Sequence, residues 1–305
     1  MKKVVSIDGG GIRGIVPAII LQRVEEHLQD HLFNHVDLVA GTSTGGIVAG
    51  GIARGLPMHK VVEFYLEDGP EIFGEQSFIK KIRSGFGFFG GKFEADVLRE
   101  KLVKRLGDVT LGDLYVDYLS TAYNLTEGKP RFFSKSQEGK LKLVDVITAG
   151  AAAPTYFDPH VIDGKEYIDG GVFCASPAMS AFAEIKTLHN VRAEEILMIS
   201  VGCGNRLQGY SSAQRWFKAR WIKPLIDIMM GSDAGIAHHQ LVQTYKSVNA
   251  SGNYYRINSK LPDYVNPDMA AASKKDLEGL VKYANELADK NSRKIKTIAD
   301  KIKRK

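Results

Sequence analysis

Short apolar runs alternate with longer segments of helical periodicity from the first residues of the chain onward. Residues 4–7 and 36–40 are apolar runs of the length of a buried strand. Residues 46–53 combine small and branched apolar side chains and predict a tightly packed helix, and residues 166–168 form a further β-like run. This alternation predicts an α/β fold built in layers around one sheet.

The C-terminal third has the periodicity of helices. Apolar side chains recur there at helical spacing in one stripe, which predicts a buried face. The stripe consists of Leu277, Leu280, Val281, Ala284, Leu287, Ala288, Ile295, Ile298 and Ile302. No internal repeat or low-complexity linker interrupts the chain. We therefore predict a single domain over residues 1–305, with a motif-bearing core over about residues 1–205 and a helical portion over about residues 210–305.

Composition narrows the class of protein. The chain has 305 residues, 44% of them hydrophobic, which is enough for one large domain. The sequence contains no stretch of about 18 apolar residues, the length that predicts a membrane span. Its first apolar run is too short for a signal peptide. Two cysteines, Cys174 and Cys203, do not make a disulfide framework. We expect a cytoplasmic protein, or one that reaches the inner membrane surface from the cytosolic side.

The formal net charge of +6 is concentrated at the C-terminus. Residues 274–305 carry eleven Lys and Arg residues against five Asp and Glu residues, and the rest of the chain is balanced. One interpretation is a terminal helix that packs on the domain and exposes a basic face. The alternative is a helix that draws the protein to anionic lipid as a peripheral membrane contact. Nucleic acid is not an expected partner, because few aromatic side chains interleave with the charges.

The most informative motif follows the second apolar run and reads Gly41-Thr42-Ser43-Thr44-Gly45. A G-x-S-x-G sequence on a strand-to-helix turn is the arrangement of a nucleophile elbow, although it also occurs in plain small-residue turns. A side chain at Gly41 or Gly45 would clash in so sharp a turn, and a positive φ is cheap only for glycine. The motif predicts Ser43 as a nucleophile at a helix N-terminus, where free N–H groups favour a developing negative charge.

A second glycine-rich motif follows the first apolar run and reads Asp8-Gly9-Gly10-Gly11-Ile12-Arg13-Gly14. It contains a formal G-x-G-x-x-G, but the acidic residue that a dinucleotide site needs at the end of the second strand is missing. A Walker A loop is excluded too, because no Gly-Lys-Ser/Thr follows. We interpret the backbone N–H groups of Gly9, Gly10 and Gly11 as a row that binds an oxyanion.

A nucleophilic serine needs a base, and the histidines are poorly placed for that role. His238 and His239 fit the chain order of an α/β-hydrolase, but their neighbours predict a helix interior rather than a loop. His27 and His31 lie four residues apart in a polar helical stretch over residues 21–34. A solvated helix face is favoured there over a metal-binding pair.

Asp169 is the better candidate for the base. It follows a β-like run and precedes Gly170 and Gly171, so its carboxylate has room to meet another loop. The alternative interpretation is an Asx turn or a helix N-cap.

The three motifs, in this order, resemble the patatin-like phospholipases. Residues 151–157 resemble the segment shortly before the family's Asp-Gly-Gly motif, and the match spans about residues 4–205. The resemblance implies a three-layer α/β/α fold with a mostly parallel sheet. It also implies a Ser43–Asp169 dyad without a catalytic histidine, an oxyanion hole at Gly9, Gly10 and Gly11, and no cofactor or metal. The supporting motif positions are Asp8, Arg13, Gly14, Gly41, Gly45, Gly170 and Gly171.

The activity that the resemblance implies is hydrolysis of fatty-acyl esters in lipids or phospholipids. An acyltransferase that uses the same acyl-enzyme is the first alternative. The second alternative is a nucleotide-gated effector that attacks the cell's membrane, as some stand-alone bacterial members of the family are.

Two further segments are candidates for lipid contact or for core packing. Residues 84–91 carry three aromatic side chains, and residues 216–230 fit a lid or an acyl-chain wall.

Overall fold

A computed structural model of the protein describes residues 1–73, 95–205 and 222–304. The strands in these ranges are β1 (Lys2–Ile7), β2 (Leu38–Thr42), β3 (Asp117–Asn124), β4 (Lys129–Ser134), β5 (His160–Ile162), β6 (Lys165–Asp169), β7 (Ile196–Val201) and β8 (Tyr254–Ile257). The helices are α1 (Ile15–Leu28), α2 (Thr44–Ala53), α3 (Met58–Glu63), α4 (Gly69–Phe73), α5 (Ala95–Leu106), α6 (Lys135–Glu138), α7 (Leu143–Ala151), α8 (Ala178–His189), α9 (Ile222–Ser247), α10 (Lys274–Lys290) and α11 (Ser292–Lys303). The predicted strands and helices around the motifs are confirmed.

The described strands form one sheet in the order β5-β6-β3-β2-β1-β7-β8, with β4 paired to β3 outside this row. The segment of this row from β3 to β8 is parallel, in the order β3-β2-β1-β7-β8. The other pairings, of β3 with β4 and β6 and of β5 with β6, are antiparallel. The sheet is therefore mostly parallel, as the resemblance implied.

Helices cover both faces of the sheet. Successive side chains of a strand point to opposite faces, and β1 shows this: Val4 belongs to one apolar cluster, whereas Val5 and Ile7 belong to another. The cluster around Val4 includes apolar residues of α8 and α9. The cluster around Val5 includes those of α1, α2, α3, α5, α7, α10 and α11. This is the predicted three-layer α/β/α fold.

The basic C-terminal stretch is part of this fold. It forms two helices, α10 and α11, rather than one, and both pack against α1. Ile295, Ile298 and Ile302 of α11 are fully or almost fully buried. The Lys301 ammonium donates to the Gly252 carbonyl oxygen at 2.6 Å, which ties α11 to the chain before β8. The interpretation of a packed helix with an exposed basic face is confirmed, and its apolar stripe is not available to a lipid surface.

This packing joins the helical portion to the motif-bearing core, and we propose on that basis that residues 1–305 form one domain. Residues 84–91 and the first part of the apolar region 216–230, residues 216–221, lie outside the described residues. In the part of the chain that the structure describes, no helix has both the length and the apolar character to cross a membrane. The location of the protein in the cell stays a prediction.

Candidate active site

The elbow serine stands on a strained turn between β2 and α2. Ser43 has φ 55° and ψ −128°, so the positive φ that we expected at the flanking glycines falls on the serine itself. Strain of this kind in a non-glycine residue is typical of functional sites. A Cβ atom at Gly41 would lie 2.0 Å from the carbonyl oxygen of Gly45, and one at Gly45 would lie 2.3 Å from that of Ile7. The predicted steric need for both glycines is confirmed.

Strand register brings Asp169 level with this serine. Thr42, the last residue of β2, pairs with Thr121 of β3. Asp169 pairs with the next residue of β3, Ala122, on the same edge of β3, because β4 occupies the other edge from Leu119 to Asn124. Ser43 follows Thr42, so Ser43 and Asp169 meet on one edge of β3, at the point where β2 ends and β6 takes its place. The two motifs, far apart in the chain, therefore meet.

The Asp169 carboxylate accepts hydrogen bonds from the Ser43 hydroxyl and from the Gly171 N–H, the latter at 2.7 Å. Burial raises the pKa of Asp169 to about 6, and these two hydrogen bonds act in the opposite direction. Asp169 also caps the 3-10 turn that follows it, so the N-cap interpretation is confirmed together with the contact to Ser43. Gly170 permits this turn, because a Cβ there would lie 2.1 Å from the Thr121 hydroxyl oxygen.

The glycine loop, residues 8–12, runs past the serine after β1. Gly11 has φ 60° and lines the same cavity as Ser43. The Gly10 carbonyl accepts a hydrogen bond from Arg13 Nε at 3.2 Å. The Gly9 N–H, however, donates to the carbonyl oxygen of Ala175 at 2.9 Å. The expectation of three adjacent oxyanion donors is therefore wrong at Gly9, and Gly10 and Gly11 remain as candidates.

The first residue of the glycine loop forms a buried ion pair that sequence reasoning missed. The two carboxylate oxygens of Asp8 accept hydrogen bonds from the Arg256 guanidinium on β8, at 3.1 and 2.5 Å. No local pattern could have indicated this contact, since the partners are 248 residues apart. At the other end of the motif, Gly14 allows α1 to begin against the elbow, because a Cβ there would lie 2.1 Å from Thr44 Oγ1.

Ser43 and Asp169 lie in a cavity of about 280 Å³ whose lining is almost entirely apolar. The other lining residues are Gly11, Thr44, Ile47, Phe73, Leu98, Ala151, Ala153, Pro154, Tyr156, Phe157, Gly171, Val172, Met229, Met230 and Met269. Residues 151–157 thus form part of the wall. Met229 and Met230 bring the described part of the region 216–230 to the wall as well, which supports its interpretation as an acyl-chain wall. Such a cavity suits a hydrocarbon chain beside the Asp169 carboxylate and the Ser43 hydroxyl.

The histidines lie elsewhere. His238 is in α9, as predicted, with its Nδ1 2.9 Å from the Tyr254 hydroxyl oxygen. His31 lies beyond the end of α1 at Leu28, so the expected helical pair with His27 does not form. Among the described residues, no histidine lines the cavity, and no group of three or more His, Cys, Asp or Glu side chains is placed to hold a metal ion.

Comparisons with known proteins find relatives of this chain. A family model described as "Patatin-like phospholipase" matches residues 5–182, which contain all three motifs. The "cGAMP-activated phospholipase" of Pseudomonas aeruginosa is 30% identical, with 88% of this chain and 81% of that protein covered. Patatin-T5 of Solanum tuberosum is 27% identical, with 95% and 84% covered. The crystal structure of VipD from Legionella pneumophila has a TM-score of 0.46 and 16% identity, with 93% of this chain and 67% of that one covered.

Proposed function

The chain belongs to the patatin-like phospholipase family of lipid acyl hydrolases, and from the geometry of its cavity we propose that Ser43 and Asp169 carry out the hydrolysis of fatty-acyl esters. The observation that carries the proposal is a serine on a strained elbow, hydrogen-bonded to a buried carboxylate in an apolar cavity. A serine so placed attacks a carbonyl carbon, and the carboxylate is the titratable group positioned to take its proton.

In the first step Asp169 accepts the hydroxyl proton while Ser43 Oγ bonds to the ester carbonyl carbon. The tetrahedral intermediate collapses, the alcohol or lysolipid leaves with a proton from Asp169, and the acyl group stays on Ser43. Water then gives a proton to Asp169 as its oxygen bonds to the carbonyl carbon of the acyl-enzyme. When this second tetrahedral intermediate collapses, Ser43 Oγ takes the proton back from Asp169 and the fatty acid leaves. The raised pKa of Asp169 makes the carboxylate a stronger base than an exposed aspartate.

The oxyanion that forms in both steps needs fixed hydrogen-bond donors. We assign this role to the N–H groups of Gly10 and Gly11, together with the first N–H of α2, at Thr44. The first N–H groups of a helix lack partners within the helix and carry the positive end of its dipole. Each donor of this kind contributes about 2.7–4 kcal/mol to transition-state stabilisation.

The acyl chain of the substrate lies in the apolar cavity in this proposal. Burying one methylene contributes about 0.8 kcal/mol, so the walls favour long chains. The exposed face of α11, which carries Arg293 and Lys296, is the proposed contact with an anionic membrane surface. Reversing the charge of Arg293 and Lys296 to Glu should then weaken binding to anionic vesicles and leave the hydrolysis of a soluble ester unchanged. Unchanged vesicle binding would refute this contact.

Two finer assignments concern the acceptor and the control of the reaction. An acyltransferase would use the same acyl-enzyme and an alcohol in place of water. Products formed with and without an added acceptor alcohol distinguish the two. The name of the Pseudomonas aeruginosa relative describes activation by cGAMP. The alignment with that relative covers 88% of this chain, and it favours a cyclic dinucleotide as an activator here. Initial rates with and without cGAMP test this.

The experiment that tests the main proposal is a panel of phospholipids and neutral acyl lipids, assayed by mass spectrometry of the products. Wild-type protein should release free fatty acid, whereas Ser43→Ala and Asp169→Asn should release none above the uncatalysed rate. His238→Ala is the matched control and should retain full activity, because His238 does not line the cavity. Undiminished hydrolysis by Ser43→Ala would refute the proposal.

A further inference from the structure

The glycine loop is held in place from a part of the chain that lies outside the family match. The Arg256 guanidinium binds the Asp8 carboxylate. The Ile12 N–H donates to the carbonyl oxygen of Met269 at 2.8 Å. Asp233 of α9 accepts the Ser176 N–H at 2.9 Å, next to the carbonyl group that holds the Gly9 N–H. Two contacts from residues 256–269 thus reach the loop directly, and Asp233 supports its neighbour at residues 175–176, whereas the match of the family model ends at residue 182.

Arg256 makes the most specific of these contacts. Its side chain is 12% exposed and that of Asp8 is 7% exposed, so both charges are withdrawn from water. Its guanidinium also donates to the Ser200 hydroxyl at 2.6 Å, which fixes the plane of the fork. A planar fork that binds both oxygens of a carboxylate sets its orientation as well as its distance. The backbone of Arg256 is held in turn, since Lys294 of α11 donates to its carbonyl oxygen at 3.1 Å.

We propose that Arg256 is a positioning residue of the ester hydrolysis: it holds Asp8 and, through Asp8, sets the direction of the Gly10 and Gly11 N–H groups. This inference rests on the proposed function, since it assigns those N–H groups to the oxyanion. Asp8 is followed directly by the loop glycines, so a rotation at Asp8 moves the donors. Oxyanion donors lose their effect when they are displaced by about 0.5 Å.

The charge of Arg256 supports the same role. A buried Asp8 carboxylate without a partner would repel the oxyanion that develops at the adjacent glycines, and the repulsion would be strong because the site is poorly solvated. Stability alone does not explain the ion pair, since buried pairs contribute little net free energy of folding compared with apolar residues of similar volume. At this position the ion pair orients the Asp8 carboxylate and neutralises its charge.

The test compares Arg256→Gln and Arg256→Lys with wild type on a soluble short-chain ester. Arg256→Gln should lower kcat by about 10²–10³, the loss expected when an oxyanion donor is displaced, and leave KM within about threefold. Arg256→Lys keeps the charge without the fork and should lose about tenfold in kcat. The matched control is Arg105→Gln, which removes a guanidinium–carboxylate contact with Asp68 away from the loop and should keep wild-type kcat.

A second readout separates positioning from general damage to the fold. The inhibition constant of an acyl trifluoromethyl ketone, which forms a tetrahedral adduct, should rise by the same factor as kcat falls. Binding of an ether lipid without a carbonyl group should not change. The proposal is overturned if folded Arg256→Gln keeps kcat within threefold of wild type, or if ether-lipid and ketone affinities fall together.

If Arg256→Gln does not fold, Arg256→Lys carries the test, and a wild-type kcat in that variant overturns the proposal. Ser43→Ala, assayed in parallel, separates this inference from the function on which it rests. Full activity in Ser43→Ala refutes the proposed function. An inactive Ser43→Ala together with a fully active Arg256→Gln refutes the positioning role alone.

Discussion

Asp169→Asn should make the protein more stable while it abolishes catalysis. Burial raises the pKa of Asp169 from 3.8 to about 6 in the folded protein. The unfolded chain therefore gives up this proton more readily than the folded one. Above pH 6 the ionised carboxylate costs the folded state about 3 kcal/mol, since one pKa unit corresponds to about 1.36 kcal/mol. Below the unfolded pKa the cost disappears, because the carboxyl group is neutral in both states.

An asparagine has the same shape and no charge to bury, so it removes this cost. About half of the cost is present at pH 5 and nearly all of it at pH 8. The difference in free energy of unfolding between Asp169→Asn and wild type should thus grow by about 1.4 kcal/mol between these two pH values. Urea denaturation followed by circular dichroism measures it. Asp300→Asn, on the exposed side of α11, controls for the loss of one negative charge.

Two results would refute this reasoning. The first is an Asp169→Asn variant that is less stable than wild type at pH 8. The second is a difference in free energy of unfolding that does not change between pH 5 and pH 8. Either result would mean that Asp169 does not carry a buried negative charge at pH 8. It would contradict the raised pKa that makes Asp169 a base.

Three more outcomes follow from the same contacts. The value of kcat/KM on a soluble ester should fall about tenfold per pH unit below pH 6, as Asp169 becomes protonated; a flat profile down to pH 4.5 would contradict a carboxylate base. Gly10→Ala should lower the melting temperature as well as activity, because its Cβ would lie 2.6 Å from Cys203 Cβ. Adding Cys203→Gly to this variant should restore part of the stability. A wild-type melting temperature for Gly10→Ala would contradict the clash and show that the loop moves to accommodate the methyl group. Removal of residues 291–305 should abolish soluble-ester activity together with folding, because each buried isoleucine of α11 contributes about 1.5–3 kcal/mol; a folded, active truncated protein would contradict this.

The motifs predicted well what short-range sterics determine. The turn at Ser43 needs Gly41 and Gly45 because their neighbours in space are also near in sequence or lie on an adjacent strand. The position of Asp169 at a strand end was predictable from its own surroundings. Its contact with Ser43 depends on the register of β2, β3 and β6, and only the resemblance to a family indicated that contact.

Long-range contacts account for what could not be predicted. The Gly9 N–H is occupied by Ala175, and Asp8 is paired with Arg256, although neither partner carries a local signal. The C-terminal stripe is equally compatible with a lipid surface and with a protein core. Its burial against α1 is a property of the assembled domain, in which α1 offers the complementary apolar face. Amphipathic periodicity alone cannot distinguish these two partners.

The most direct test of the account is the identity of the residue that forms the covalent intermediate. Wild-type protein treated with a fluorophosphonate should gain one adduct, which peptide mass spectrometry should locate on Ser43. Ser43→Ala should gain none, and Asp169→Asn should react far more slowly than wild type. An adduct on another residue, or unchanged labelling of Ser43→Ala, would contradict the claim that Ser43 is the nucleophile.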